Sequence, residues 1–330
     1  MSEITAAPVP PGPIGARVSI RLQLPGADGY HDLLGYLEAG NLVRRKDGTT
    51  TNFDPAHVVA WRQVPITPTN SSNALEIESL EKIAQRNWMP EKIEEIGQWQ
   101  LRSNKGFSYR ANSTLPLGGK GFGDPGIELN QAISQVIDFY SDLKQPAIFQ
   151  ILPSIHQELE RSVKALGFRS KGEVRFETMR INSPFISDLK DLQLLTSDYP
   201  NDDWFALHGD TSVAAELMLR TPSKYLHLYE QSKLVATTRA AFTEDWAGIS
   251  RVRVREDKQG QGLGKKIMQA TLNEVKANGI EQLFLQVESE NLNALAIYHS
   301  IGFSLHHYLN YSVSIQDICY IANYFANLGL

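Results

Sequence analysis

The chain has 330 residues, room for two or three domains with separate cores, and 32 basic against 37 acidic side chains leave a net charge of −5. So balanced a charge argues against a protein held on nucleic acid by phosphate contacts. A lone cysteine, Cys319, excludes an internal disulfide framework, and no apolar run of about 18 residues or signal-peptide pattern is present. The expectation is a cytoplasmic protein without a membrane partner.

In chain order, residues 1–13 carry Pro8, Pro10, Pro11 and Pro13 among small residues and predict a disordered tail. Residues 14–66 predict a small all-β barrel, Tudor-like in size. Its five short strands fall at 18–24, 33–37, 42–45, 49–53 and 58–64, with a hairpin turn at Lys46, Asp47 and Gly48. A linker follows at 67–73. Residues 74–182 then show strand patterns at 99–102, 109–117 and 147–152 and an amphipathic helix on Leu129, Ala132, Ile133, Val136, Ile137 and Tyr140. A second helix on Leu159, Val163 and Leu166 ends at Gly167 and Phe168, before a strand at 174–181.

Residues 186–315 repeat that order of elements with sharper signals. A strand ending at Val254 runs into a turn containing Gly260, Gly262 and Gly264, and then into a helix marked by Leu263, Ile267, Met268, Ala270, Leu272 and Val275. Glycines there remove the Cβ atoms that would bar close approach, and a helix N-terminus adds partial positive charge, so the turn predicts a site for phosphate. Gly279 stops the helix, 283–287 predicts a neighbouring parallel strand, and Asn291 opens a short helix closed by Gly302 and Phe303. The last strand, 305–313, alternates Leu305, His307, Leu309, Tyr311 and Val313 on one face. Residues 316–330 form a tail whose apolar Ile318, Ile321, Tyr324 and Phe325 could dock on the body or on a second copy in a homodimer.

Two ordered signatures carry a resemblance. Val254, Gln259, Gly262 and Gly264 match V-x-x-x-x-[Q/R]-x-x-G-x-[G/A], and Asn291, Ala294, Tyr298, Gly302 and Phe303 match N-x-x-A-x-x-x-Y followed by x-x-x-G-F. On these residues the chain resembles the GNAT N-acetyltransferase superfamily. The fold expected is therefore mixed α/β: the GNAT acyl-CoA N-acyltransferase fold in tandem, behind the small all-β barrel. The first copy reads as a structural, degenerate half. Its glycine loop 118–123 lacks the Gln-x-x-Gly-x-Gly spacing, Asp124 places a negative charge where phosphate would sit, and Val163 stands where the second copy has Tyr298.

The resemblance implies an acetyl-CoA-dependent N-acetyltransferase that moves an acetyl group to a primary amine by direct attack. Neither a Cys-His nor a Ser-His pairing is needed for that. It implies that Val252, Arg253 and Val254 pair their backbone with the pantetheine arm. Gln259, Gly260, Gln261, Gly262, Leu263, Gly264 and Lys265 would hold the pyrophosphate, and Asn291 would fix the arm. A backbone N–H near Val254 would stabilise charge on the carbonyl oxygen, and Tyr298 would be the general acid for the CoA thiolate. The family's usual base positions hold Gln286 and Gly248, neither of which accepts a proton, so Glu288, Glu244 and Asp245 are the candidate bases.

The acceptor is expected to be a small molecule or a peptide. Two alternatives stay open: a protein-lysine or N-terminal acetyltransferase whose barrel recruits the target, and a non-catalytic acyl-CoA sensor. Trp204 and Trp246 read equally as acceptor-pocket or core aromatics. His306 and His307, adjacent on a strand, are expected on opposite faces, and no metal is expected.

Overall fold

The computed structural model describes residues 17–26, 29–39, 41–45, 49–63, 74–118, 123–185, 188–209 and 212–314. The N-terminal tail, the turn at 46–48, the linker, Cys319 and the apolar C-terminal run lie outside these residues. The chain divides into two compact units, 1–69 and 70–330.

The first unit is a five-stranded antiparallel sheet: β1 (Arg17–Leu22), β2 (His31–Ala39), β3 (Leu42–Arg44), β4 (Thr50–Asn52) and β5 (Val58–Gln63), ordered β4-β3-β2-β1-β5. Period-2 alternation decides its inside. Val18, Ile20 and Leu22 of β1 are buried with Leu33, Leu37, Val43 and Phe53. On the outer face Arg21 and Asp32, cross-strand neighbours, form an ion pair at 2.8 Å. Among the described residues β4 and β5 are edge strands, with no pairing that closes the sheet on itself.

The second unit opens with α1 (Ala74–Arg86), which buries Ile77, Leu80, Ile83 and Ala84 on one side. Then come β6 (Lys92–Ile96), β7 (Trp99–Ser103), β8 (Thr114–Leu115), α2 (Leu129–Asp142), β9 (Ile148–Ile151), α3 (Gln157–Ala165) and β10 (Phe168–Arg180). The later residues add β11 (Gln193–Ser197), α4 (Asp202–His208), α5 (Ser212–Leu219), β12 (Ser223–Glu230), β13 (Lys233–Thr243) and β14 (Trp246–Val254). The chain continues through α6 (Leu263–Ala277), β15 (Gln282–Glu288), α7 (Leu292–Ser300) and β16 (Ser304–Ser314).

All eleven strands form one sheet, ordered β11-β12-β13-β14-β15-β10-β16-β9-β8-β7-β6. Its two parallel contacts are β8 with β9 and β14 with β15. Between them the final strands of 74–182 and 186–315 are exchanged. β10 runs antiparallel to β15 from Val174↔Glu288 to Arg180↔Gln282, while β16 pairs with β9 from Asn310↔Ile151 to Val313↔Ile148. Each stretch thus completes the other's sheet, which makes 70–330 one compact unit rather than two.

Two local departures from the sequence pattern have clear causes. The strand expected over 109–117 is a 3-10 turn at Tyr109–Ala111 followed by the two-residue β8. There Asn112 competes with sheet pairing. Its Oδ1 accepts from Asn104 N (2.7 Å) and Gly106 N (2.9 Å), and its Nδ2 donates to the carbonyls of Phe107 (2.7 Å) and Ser108 (2.9 Å). The histidines of β16, expected on opposite faces, touch each other instead. The β10–β16 register passes from Phe176↔His307 to Glu177↔Leu305, a bulge that skips His306 and brings the two Nδ1 atoms within 2.8 Å. His307 Nε2 meets the buried carboxylate of Glu81 at 2.9 Å. Among the described residues no three His, Cys, Asp or Glu side chains are grouped to hold a metal ion, and no helix is long and apolar enough to cross a membrane.

Candidate active site

The parallel pairing of β14 with β15 covers Trp246↔Gln282 to Ile249↔Leu285 and then stops, although both strands run on. A bulge in β14 accompanies the break. Arg251 has φ 56°, and the register with β13 shifts from Arg239↔Ser250 to Thr237↔Arg253, leaving Arg251 and Val252 outside it. Here lies a cavity of about 1030 Å³. Ser250–Arg253 and Leu285–Glu288 form its strand walls, and Tyr298 and Asn291 of α7 reach it from one helix.

Beyond β14 the chain prepares a helix start that its own side chains do not cap. Gly260 and Gly262 have φ 75° and 76°, and Gly262 is the N-cap of α6 without any side-chain cap bond. Lys266 N is bonded back to the Gly262 carbonyl at 3.1 Å, so the helix ladder leaves the N–H groups of Leu263, Gly264 and Lys265 without carbonyl partners. The equivalent start of α2 is filled internally. Glu128 Oε2 accepts from Gln131 N and Asp124 Oδ1 accepts from Gly126 N, each at 2.8 Å. Nearby cations differ in availability: Arg255 is bound to Asp257 at 2.6 Å and Lys258 to Glu230 at 2.5 Å, whereas Lys265 is exposed on the first turn of α6. Gln259 Nε2 donates to the Val254 carbonyl at the end of β14 and Gln261 Nε2 to the Asp257 carbonyl, each at 3.5 Å. Gly264 has a packing reason besides: a Cβ there would stand 2.9 Å from Ile297 Cδ1 on α7. Uncapped amides at a positive helix end suit a diphosphate.

Tyr298 is 8% exposed, edge-on to Phe303 at 6.0 Å, and burial pushes its phenol up to about 12. Asn291 caps α7, its Oδ1 accepting from Ala294 N at 3.1 Å, and it lines the cavity. Gln286 is held by the first half of the unit. Arg110 Nε donates to its Oε1 (2.5 Å) and Arg110 Nη2 to its carbonyl (3.3 Å). Gly248 is glycine for a steric reason, since a Cβ would fall 1.9 Å from Asn87 Nδ2. Of the three candidate bases, Glu288 lines the cavity and is exposed. Glu244 is tied to Arg86 at the surface, and neither it nor Asp245 is among the lining residues. Val252 and Arg253 line the cavity, whereas Val254 and the predicted residues Gln259 to Lys265 are not among its lining.

Residues from 88 to 110 build the opposite wall, and no motif flagged them. Trp88 and Phe107–Arg110 line the cavity. Trp88 is backed by the buried Arg239, whose guanidinium lies 5.0 Å from the ring and donates to Ser223 Oγ (3.1 Å) and to the carbonyls of Asn87 and Met218 (both 3.0 Å). His208 was also unflagged. Its Nε2 lies 2.8 Å from Thr237 Oγ1, whose hydroxyl in turn lies 3.4 Å from the Arg251 carbonyl. Burial, with Arg251 and Arg253 adding to it, brings this imidazole down to about 2 and keeps it neutral. Of the two tryptophans considered from sequence, Trp204 is fully buried against Tyr225 and His227, and Trp246 packs on Phe284; neither lines the cavity.

The chain is similar to known proteins over most of its length. Residues 74–312 match the family described as "Probable histone acetyltransferase Rv0428c C-terminal". The chain is 26% identical over 249 residues to an uncharacterized N-acetyltransferase, YobR, of Bacillus subtilis, covering 71% of this chain and 98% of that protein. It is 27% identical over 312 residues to the probable histone acetyltransferase Rv0428c of Mycobacterium tuberculosis, covering 90% and 94%. Among solved structures, a GCN5-related N-acetyltransferase from Kribbella flavida superposes with a TM-score of 0.57 at 11% identity, covering 72% of this chain and 95% of that one, a likeness of fold.

Proposed function

Because the chain belongs to the Rv0428c C-terminal acetyltransferase family, within the GNAT N-acetyltransferases, we propose that its second half transfers an acetyl group from acetyl-CoA to a primary amine. One observation carries this reading: the uncapped start of α6 packs beside the end of β14, a Cβ on Gly264 standing 3.8 Å from Val254 Cγ2, and the cavity where β14 and β15 part reaches Tyr298. When bound, acetyl-CoA supplies an activated thioester and a thiolate leaving group.

The chain's own groups supply the rest. Gly260–Lys265 offer main-chain amides to the pyrophosphate, and Val252–Val254 offer a strand edge to the pantetheine amides. The bulge in β14 takes Val252 out of register with β13, which offers its amide to the thioester carbonyl oxygen. Tyr298 holds its proton at every working pH, since burial pushes its phenol up to about 12, and hands it to the departing sulfur. Glu288 takes the amine's proton, directly or through water. Residues 74–182 act as a degenerate copy, supported by Glu128 at the cap of α2 and by the buried Val163 in the place of Tyr298. A protein target recruited by the first unit is the second reading. It is favoured by similarity to Rv0428c over 90% of the chain, more than the second unit alone supplies.

Calorimetric titration with acetyl-CoA tests the site. Saturable binding is expected for the native chain, and Gly262→Val should weaken it about tenfold, because a β-branched residue at φ 76° is strained and its side chain stands among the phosphate donors. Absence of binding to the native chain would remove the proposal. Glu288→Gln should lower kcat/KM severalfold for an alkylamine and less for an aniline, whose nitrogen is already neutral. An equal loss for both would move proton acceptance to another group.

A further inference from the structure

We propose that the acceptor is an amine that also bears a carboxylate, attached to an apolar body: an amino acid or an amino-acid-like metabolite. The inference rests on the acetyl-transfer reading and concerns the wall of the cavity facing away from α7.

That wall has two charged poles over an aromatic floor. The cationic pole consists of Arg110, whose guanidinium lies 5.7 Å from the Trp88 ring, and Arg251, whose guanidinium lies 5.9 Å from Phe107, with Arg253 on the same strand. Gln286 engages two donors of Arg110, and a guanidinium has five, so a planar fork remains for a carboxylate. The acidic pole is Glu288, two residues beyond Gln286 on β15 and therefore on the same face of the strand. Glu173, Glu290 and Lys171 line the cavity as well, Glu173 accepting from Ser289 Oγ at 2.8 Å. Tyr311 lines the same cavity, 6% exposed and with its ring 5.2 Å from that of Tyr109. Its hydroxyl is buried without a hydrogen-bond partner, which is costly unless a ligand supplies one.

Charge spacing selects the acceptor. A molecule lying across this wall sets a carboxylate against the guanidinium groups and its ammonium against Glu288, from which the amine must lose a proton before attack. A purely cationic acceptor, such as a lysine-rich peptide, would meet Arg110, Arg251 and Arg253 with no compensating anion of its own.

The test uses the full chain with acetyl-CoA, CoA release, and matched acceptors: phenylalanine against phenylalaninamide, the same pair for leucine, and a lysine-rich peptide. The amide's amine is less basic and chemically readier, so a preference for the carboxylate must come from binding. The expected result is at least a tenfold higher kcat/KM for each carboxylated member, expressed in KM. Arg251→Gln should erase that difference while acetyl-CoA affinity, measured by calorimetry, stays within about twofold. Equal use of both members, preference for the amide or the peptide, or an Arg251→Gln effect confined to acetyl-CoA affinity overturns the inference. So does a chain that binds acetyl-CoA yet acetylates no carboxylated amine, and in that case the cofactor site stands. A chain that binds no acetyl-CoA fails at the earlier step, the acetyl-transfer reading itself.

Discussion

Tyr298→Phe lowers kcat by about 100-fold, within the range for losing a positioned general acid, and leaves acetyl-CoA affinity within about threefold. The two effects separate because of where the hydroxyl sits. Phenylalanine keeps the ring that packs on Phe303 and fills the pocket, so the local fold and the cofactor's surroundings are retained. What is lost is one proton donor. Since burial holds the phenol up to about 12, the native enzyme should show no alkaline fall in kcat attributable to this group below that pH. Single-turnover kinetics are the cleanest readout, since they exclude product release. Unchanged chemistry in the variant would make Tyr298 a packing residue and leave the thiolate to be protonated by water.

Gly248→Ala destabilises the second unit by about 3 kcal/mol. The added Cβ would fall 1.9 Å from Asn87 Nδ2 and 2.5 Å from Phe284 Cζ. Asn87 cannot simply withdraw. Its Nδ2 donates to the Ala241 carbonyl (3.2 Å), its Oδ1 accepts from Thr243 Oγ1 (2.6 Å), and its own carbonyl accepts from the buried Arg239 (3.0 Å). Displacing it leaves buried polar groups unpaired and loosens Trp88 on the cavity wall. For a unit of this size the loss corresponds to a Tm roughly 6–12 °C lower. Combining the change with Asn87→Ala should recover part of the steric cost, a non-additivity that a double-mutant cycle detects. A Tm equal to that of the native chain, or strict additivity, would mean that Asn87 is not seated on Gly248.

Short-range chemistry was legible from residue order. The glycines ahead of α6, the cap at Asn291, the stop at Gly302 and the helical spacing from Leu263 to Val275 each act within about one turn of the chain, so their consequences follow wherever the segment is placed. The same holds for β1, where alternation alone marks Val18, Ile20 and Leu22 as inside. α1 went unread, although Ile77, Leu80, Ile83 and Ala84 line one of its sides, because it contains no motif and follows a polar stretch. The strand expected at 109–117 failed for a different reason: the four bonds of Asn112 are side-chain bonds to backbone, and no periodicity encodes them.

By itself the sequence determined the local geometry of the glycine-rich helix start at α6, the position of Tyr298 on α7, and the family to which the chain belongs. Only the tertiary structure decided what faces that tyrosine's cavity from the other side. The exchange of β10 and β16 brings residues 88 to 110 against β14 and β15, and so sets Arg110 on Gln286 across 176 positions of chain. It also decided that Gly248 belongs to Asn87 rather than to a base. Such contacts depend on which strand edge meets which, and pairing between distant strands is set by the burial of whole faces, not by any few adjacent residues.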